Sequence, residues 1–315
     1  MRVNRTRARA GRGTLETRDF PDVSLAQVAE ALRVLIGALP ALAGPLRDPS
    51  DLGNRDPELM RQIAPLFYAI GKHYFRGSGQ GLEHAPLDGQ FIAVGNHSGP
   101  PILPDVWVGA AWWAMEVGFD RPVYILAHDV PISIPVLGNL MMKAGCLRAS
   151  RENAEKALAS GASLLVYPGG DVECSRPFRE RNRIDLHGHT GFIELAFRHG
   201  VPIVPFVNVG GQEVYFTLSS GERLARVSGA ARLLRLKALP VIAGLPWGLW
   251  LSGFVPYLPL PAKISYAVAP PIAVPRDPAR AQDPAAVRRV YTRVSRIMQD
   301  MVTELASRRR FPVIG

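Results

Sequence analysis

Near the N-terminus, apolar residues recur at helical spacing in two stretches. From residue 24 to about 39, Leu25, Val28, Ala29, Leu32, Leu35 and Ile36 mark one side of a helix, and a Pro- and Asp-rich stretch over 40–57 breaks it. From about 58 to 75 a second helix carries Leu59, Ile63, Leu66, Phe67, Ile70 and Tyr74 on its apolar side, with Pro65 as a point of kinking. From Gly89 onward the pattern changes to short unbroken apolar runs over 91–94, 123–126, 164–167 and 201–209. Runs this short, bounded by Gly and Pro, read as buried strands. Between them, residues 105–117, 152–159 and 191–199 read as helices. The alternation predicts an α/β fold, a mostly parallel central sheet flanked by helices and preceded by an N-terminal helical pair. Functional groups in such a sheet gather at the carboxyl ends of the strands. The last periodic stretch, over 284–310, reads as an amphipathic helix through Val287, Val290, Val294, Ile297, Met298, Met301 and Leu305.

Between Lys237 and Lys263 there is no charged residue. The stretch is long enough to span a bilayer, for which roughly 20 apolar residues suffice. Pro240, Pro246, Pro256, Pro259 and Pro261 interrupt it, and each removes a backbone donor, so a straight transmembrane helix is not expected. Trp247, Trp250 and Tyr257 suit a headgroup region, and Arg223, Arg226, Arg232, Arg235 and Lys237 precede the stretch. Two readings stand: a segment dipping into one leaflet, or a buried internal hairpin. The chain divides accordingly into a basic disordered arm (1–20), N-terminal helices (21–76), an α/β domain (77–275) with an apolar membrane-proximal segment (238–262), and a C-terminal helix (276–315).

Charge narrows the partners. The 315 residues carry a formal net charge of +10, which suits nucleic acid or an anionic membrane surface. The aromatic residues lie in the uncharged stretch rather than among the basic side chains, so nucleic acid is not expected. Arg2, Arg5, Arg7, Arg9 and Arg12 are not followed by the apolar run of a secretory signal; they form a basic arm able to touch anionic lipid. Two cysteines, Cys146 and Cys174, in no CxxC spacing, argue against a disulfide framework or zinc site and fit a reducing compartment.

Two segments carry chemistry. In VGNHSGPPILPDVW (94–107) a strand runs into a loop bearing Asn96, His97 and Ser98, and Asp105 opens the next helix. Imidazole is the natural general base near neutral pH, and it works best when a carboxylate holds one ring nitrogen as the donor. In LLVYPGGDVECSRPF (164–178) a strand meets a Pro-Gly turn at Gly169 and Gly170, followed by Asp171, Glu173 and Arg176. Arginines beyond a glycine turn suit phosphate oxygens. Upstream, Arg148 and Arg151 flank a helix start that Ser150 can cap, and downstream GVPIVPFVNVGGQE (200–213) reads as a core strand with a structural role.

These segments, in this order over roughly residues 75–215, resemble the glycerolipid acyltransferase superfamily. Its His-x4-Asp block corresponds to His97 and Asp105, its glycine–arginine block to 145–151, its Phe-Pro-Glu-Gly block to 167–170, and its Val-Pro-Ile-Val-Pro block to 201–205. Seven residues rather than four separate His97 from Asp105, so the added Gly-Pro-Pro must form an excursion that returns Asp105 to the imidazole. A glycine replaces the usual Glu of the third block, which turns attention to Glu173. The Asn-His-Ser-Gly and Tyr-Pro-Gly-Gly-Asp forms look more like the branch with diacylglycerol and phytyl-ester acyltransferases than the lysophosphatidate enzymes.

The resemblance implies transfer of a fatty acyl group from acyl-CoA or acyl carrier protein to a hydroxyl of a lysophospholipid or other glycerolipid. His97 would be the base and Asp105 its orienter. Arg148, Arg151, Gly169, Gly170, Glu173 and Arg176 would bind substrate, with no metal and no cofactor beyond the thioester co-substrate. The expected setting is the cytoplasmic face of a membrane, as a peripheral or monotopic protein. A neutral acceptor such as diacylglycerol or a long-chain alcohol is the alternative, and a non-catalytic lipid-binding protein is a further one. A serine lipid hydrolase lacks its G-x-S-x-G signature, and His187 with His189 lacks further ligands for a metal hydrolase.

Overall fold

The computed structural model describes residues 18–86, 88–98, 104–229, 232, 237–251, 257–311 and 313–314. The arginines of the N-terminal arm, Arg235, and the Gly-Pro-Pro part of the loop after His97 lie outside them. In chain order the strands are β1 (Arg18–Asp19), β2 (Ser78–Gln80), β3 (Ile92–Gly95), β4 (Val123–Ala127), β5 (Cys146–Arg148), β6 (Ser163–Val166), β7 (Ile203–Val209), β8 (Phe216–Ser219), β9 (Val241–Gly244), β10 (Gly248–Leu251) and β11 (Ser265–Val268). The helices are α1 (Leu25–Leu42), α2 (Pro57–Ala69), α3 (Pro104–Val117), α4 (Asp129–Ile132), α5 (Leu137–Lys143), α6 (Arg151–Ala159), α7 (Gly170–Cys174), α8 (Gly191–His199), α9 (Glu222–Val227) and α10 (Pro284–Ser307).

Eight strands form one sheet in the order β1-β2-β11-β7-β3-β6-β4-β5. The run β7-β3-β6-β4-β5 is parallel throughout, and β11 joins β7 antiparallel. Strand alternation sorts the side chains between two layers. Ile92, Val94, Leu164, Val166 and Ile203 pack with α6, α8 and α10 on one face; Phe91, Ala93, Val204 and Phe206 pack with α2 and α3 on the other. The C-terminal helix, set apart in the sequence reading, belongs to this body, because Val294, Met298, Val302 and Leu305 are buried in the first of these cores.

Local signals start most helices where the sequence placed them. Ser24 and Gln27 form a capping box at α1, Asp56 caps α2, Ser150 caps α6 and Asp283 caps α10. Three expectations change. Helix α1 continues through Pro40 to Leu42, since a proline in the last turn forfeits a single donor. Residues 18–20, assigned to the basic arm, join the sheet: β1 pairs with β2, and Phe20 stacks on Tyr68 and Trp112. The described residues of the apolar stretch over 238–262 hold neither a helix nor a buried hairpin. Its β9 and β10 form an antiparallel hairpin joined to β8, and Leu245, Trp247, Leu249 and Leu251 are exposed.

Candidate active site

Strand β3 has β6 on one side and β7 on the other, although the chain visits β4 and β5 first. The carboxyl ends of β3, β6 and β7 therefore surround the point where the winding reverses, which is where crevices open in such sheets. His97 follows β3, Tyr167–Pro168–Gly169 follows β6, and Gly210–Gly211 follows β7.

Asp105, in the first turn of α3, is fully buried and returns to the loop after β3. Its Oδ2 accepts the Ser98 N–H at 2.9 Å and lies 3.4 Å from His97 Nδ1. This arrangement makes Nδ1–H the donor and leaves Nε2 as the ring nitrogen able to take a proton. The Asp105 Oδ1 has no hydrogen-bond partner among the described residues. The imidazole stacks on Tyr167 at 4.3 Å between centroids and 15° between planes. Tyr266 donates its hydroxyl to the Asp105 carbonyl at 3.0 Å, fixing the start of α3.

Glu173 and Arg176 hold the His97 peptide from both sides. The His97 N–H donates to Glu173 Oε2 at 2.8 Å, and Arg176 Nη2 donates to the His97 carbonyl at 3.1 Å. The two side chains pair at 2.8 Å with 7% and 0% exposure. Burial pushes the Glu173 carboxyl up, while Arg176 and the N–H groups of His97 and Asp185 pull it back. Both residues were expected to meet substrate; the structure spends their polar atoms on the loop that carries the histidine.

Asn96 and Asn208 lock β3 to β7 with three hydrogen bonds: Asn208 N–H to Asn96 Oδ1, Asn208 Nδ2 to the Asn96 carbonyl, and Asn96 Nδ2 to the Asn208 carbonyl. Asn208 Oδ1 also accepts the Ser98 hydroxyl at 2.5 Å, so Ser98 braces the loop against β7. Gly211 lies so close that a Cβ there would fall 2.1 Å from Ser98 Oγ. A Cβ on Gly169 would fall 2.3 Å from Glu173 Oε2. The Gly170 N–H turns back onto the Tyr167 carbonyl at 3.1 Å, whereas the Gly169 N–H meets no acceptor among the described residues.

The two upstream arginines are elsewhere. Arg148 ends the edge strand β5, three strands or about 14 Å from β3, and pairs with Asp129 at 2.8 Å. Arg151 opens α6 on the opposite face of the sheet from α3 and pairs with Glu194 at 3.0 Å. Tyr167, Asn208, Gly211 and Tyr266 were missed as site residues. Asn208 carried a usable signal, a polar side chain inside the apolar strand Ile203–Val209.

Beneath the site a cavity of about 540 Å³ runs between α2, α3 and the sheet. Ala93, Trp107, Ala110, Ala114 and Leu165 line it, so its walls begin within a few residues of His97, Asp105 and Tyr167. No group of three or more His, Cys, Asp or Glu side chains is placed to hold a metal among the described residues.

Residues 78–209 match the family model described as Acyltransferase. An uncharacterized protein of Mycobacterium tuberculosis is 30% identical over 253 residues, 79% of this chain and 66% of that protein. The chain thus spans about two thirds of the length of this relative. Human diacylglycerol O-acyltransferase 2 is 33% identical over 85 residues, 26% of this chain and 22% of the enzyme. The fold is similar to that of the 1-acyl-sn-glycerophosphate acyltransferase PlsC of Thermotoga maritima, with a TM-score of 0.51, 16% identity, and coverage of 91% of this chain and 98% of that one.

Proposed function

We propose, starting from the match of residues 78–209 to the Acyltransferase family model, that the chain transfers a fatty acyl group from an acyl thioester to a lipid hydroxyl with His97 as general base. The observation that carries this is the His97 Nδ1–Asp105 Oδ2 contact, which leaves Nε2 free for proton transfer. Nε2 takes the acceptor's hydroxyl proton as that oxygen attacks the thioester carbonyl carbon. Asp105 stabilises the imidazolium. The Gly169 N–H is available to the oxyanion. The intermediate collapses as the C–S bond breaks, and the imidazolium returns its proton to the leaving thiolate, giving ester and thiol. The apolar cavity, of a size that suits a small-molecule ligand, takes the acyl chain.

A neutral acceptor such as diacylglycerol or a long-chain alcohol is favoured over a lysophospholipid. Of the three arginines that were to meet a phosphate, Arg176 is buried against Glu173 while Arg148 and Arg151 sit away from His97 in pairs of their own. The setting is a membrane surface, a reading supported by α1. That helix is long and apolar enough to cross a membrane, and only Ala31 and Leu42 within it are buried.

Thiol release from acyl-CoA or acyl carrier protein, measured with and without each lipid alcohol, tests the proposal. Release that needs an acceptor and disappears in folded His97→Ala is expected. Full transfer by that variant would refute the base. Lysophosphatidate preferred over diacylglycerol and long-chain alcohols would refute the neutral acceptor.

A further inference from the structure

The small sheet β10-β9-β8 presents one face whose described strand positions are nearly all apolar. Its register sets Phe216, Ala243 and Leu249 abreast, with Val241 beside Leu251 in the next row. The opposite face is anchored: Thr217 and Ile242 are buried, and Trp250 packs near Tyr257 at 6.4 Å. On the outward face and its turn, Leu218 is 58% exposed, Trp247 56%, Leu249 65% and Leu251 56%. The neighbouring helix α9 adds Leu224 and Val227, the latter 88% exposed. A contiguous apolar patch of this kind marks an interaction surface.

We propose that this sheet face, led by the β9–β10 turn, is a docking surface that inserts into the headgroup region of an anionic lipid bilayer. It rests on the reading of the chain as an enzyme of lipid substrates. Charge selects the occupant. Arg223, Arg226 and Lys237 are exposed around the base of the patch, with Glu222 the one acid on α9. Anionic headgroups complement this rim, whereas a second copy packed face to face would bring its own cations against it. Tryptophan and leucine side chains on a short turn suit shallow insertion.

Placement gives the docking a purpose. Asp171, in the turn beyond Gly169 and Gly170, accepts the Lys237 N–H, and the Phe178 ring packs on Phe216 tilted by 57°, with 4.8 Å between centroids. The apolar sheet is therefore tied to the rim of the crevice that holds His97. A bilayer held there delivers a water-insoluble alcohol to the crevice without a passage through water.

The test needs no turnover. Leu249→Cys in the full chain carries an environment-sensitive fluorophore. The native Cys146 and Cys174 are buried and do not compete for the label. Arg289→Cys on α10, where Arg289 is 71% exposed, is the control. With vesicles of phosphatidylcholine and phosphatidylglycerol, emission at 249 shifts to the blue and is quenched by lipids with shallow spin labels, while emission at 289 is unchanged. Leu249→Glu with Leu251→Glu lowers vesicle partitioning by about tenfold or more.

Vesicle-bound protein with an unshifted label at 249 overturns the proposal. So does a blue shift without lipid that grows with protein concentration alongside a dimer mass, because a second copy is then the occupant. Made in the His97→Ala chain, the measurement stands apart from catalysis. Docking without acyl transfer in the parent chain sinks the catalytic reading and leaves this one in place.

Discussion

Replacing Asp105 by Asn removes a charge and almost nothing else. The amide oxygen can take the position of Oδ2, where it still accepts from Ser98 N–H and His97 Nδ1–H, and the amide nitrogen takes the position of the unpaired Oδ1. The histidine keeps its tautomer. What it loses is the partner of the imidazolium formed during transfer. At 3.4 Å, and with an effective dielectric of about 20, that attraction is worth about 5 kcal/mol. Solvent and the amide dipole recover part of it, so kcat falls by about a hundred- to ten-thousandfold. KM for both substrates holds, because Asp105 is fully buried and meets neither. Stability stays within about 1 kcal/mol, since a fully buried charge with one unpaired oxygen gains little from being a charge. Thioester release under saturating acceptor gives kcat, and urea denaturation gives the stability. A folded Asp105→Asn enzyme with kcat within about threefold of the parent refutes the carboxylate's part in the dyad.

The Glu173–Arg176 pair predicts strong coupling. Arg176→Met alone leaves a buried carboxylate without its cation and costs about 3–5 kcal/mol in urea denaturation, while adding Glu173→Gln recovers at least about 2 kcal/mol of it; additive losses would remove the pair from the account of how His97 is held. Ala114→Phe narrows the apolar cavity, so chain-length competition assays should show a shift toward shorter acyl thioesters, and an unchanged preference would move the acyl chain elsewhere. Asp56 caps α2 and pairs with Lys143 at 2.8 Å, which with the Leu59 N–H holds its carboxyl below the usual range. The stabilisation is present above the unfolded value near 3.8 and is lost as pH falls through the lower folded value. Asp56→Ala therefore costs about 1 kcal/mol near neutral pH and converges on the parent in acid; a pH-independent gap would contradict the assignment.

Much of the fold was legible because it depends on local chemistry and on strand and helix periods. Helix α8 begins and ends where the apolar spacing placed it, and the four strands read from the sequence, β3, β4, β6 and β7, all lie in the parallel run. The edge of the sheet was less legible. Strands β1, β2 and β5 are two or three residues long, too short for a period to show, and they exist because neighbouring strands offer backbone partners. The hairpin β9–β10 was hidden by composition, since an uncharged Pro-rich stretch reads alike whether it is buried or exposed.

At the site, the sequence by itself determined the chemistry on offer: an imidazole after one strand, a carboxylate at the next helix start, and a glycine turn after a neighbouring strand. Only the tertiary structure decided the assignments. Seven residues separate His97 from Asp105, and the contact between them depends on where α3 docks, which Tyr266 on β11 fixes from far along the chain. The arginines show the same division. A guanidinium is equally ready to bind a phosphate or a buried carboxylate, and its position in the packed sheet determines which it meets. Arg176 lies behind the histidine loop and braces it, while Arg148 and Arg151 lie one on the far edge strand and one on the opposite face.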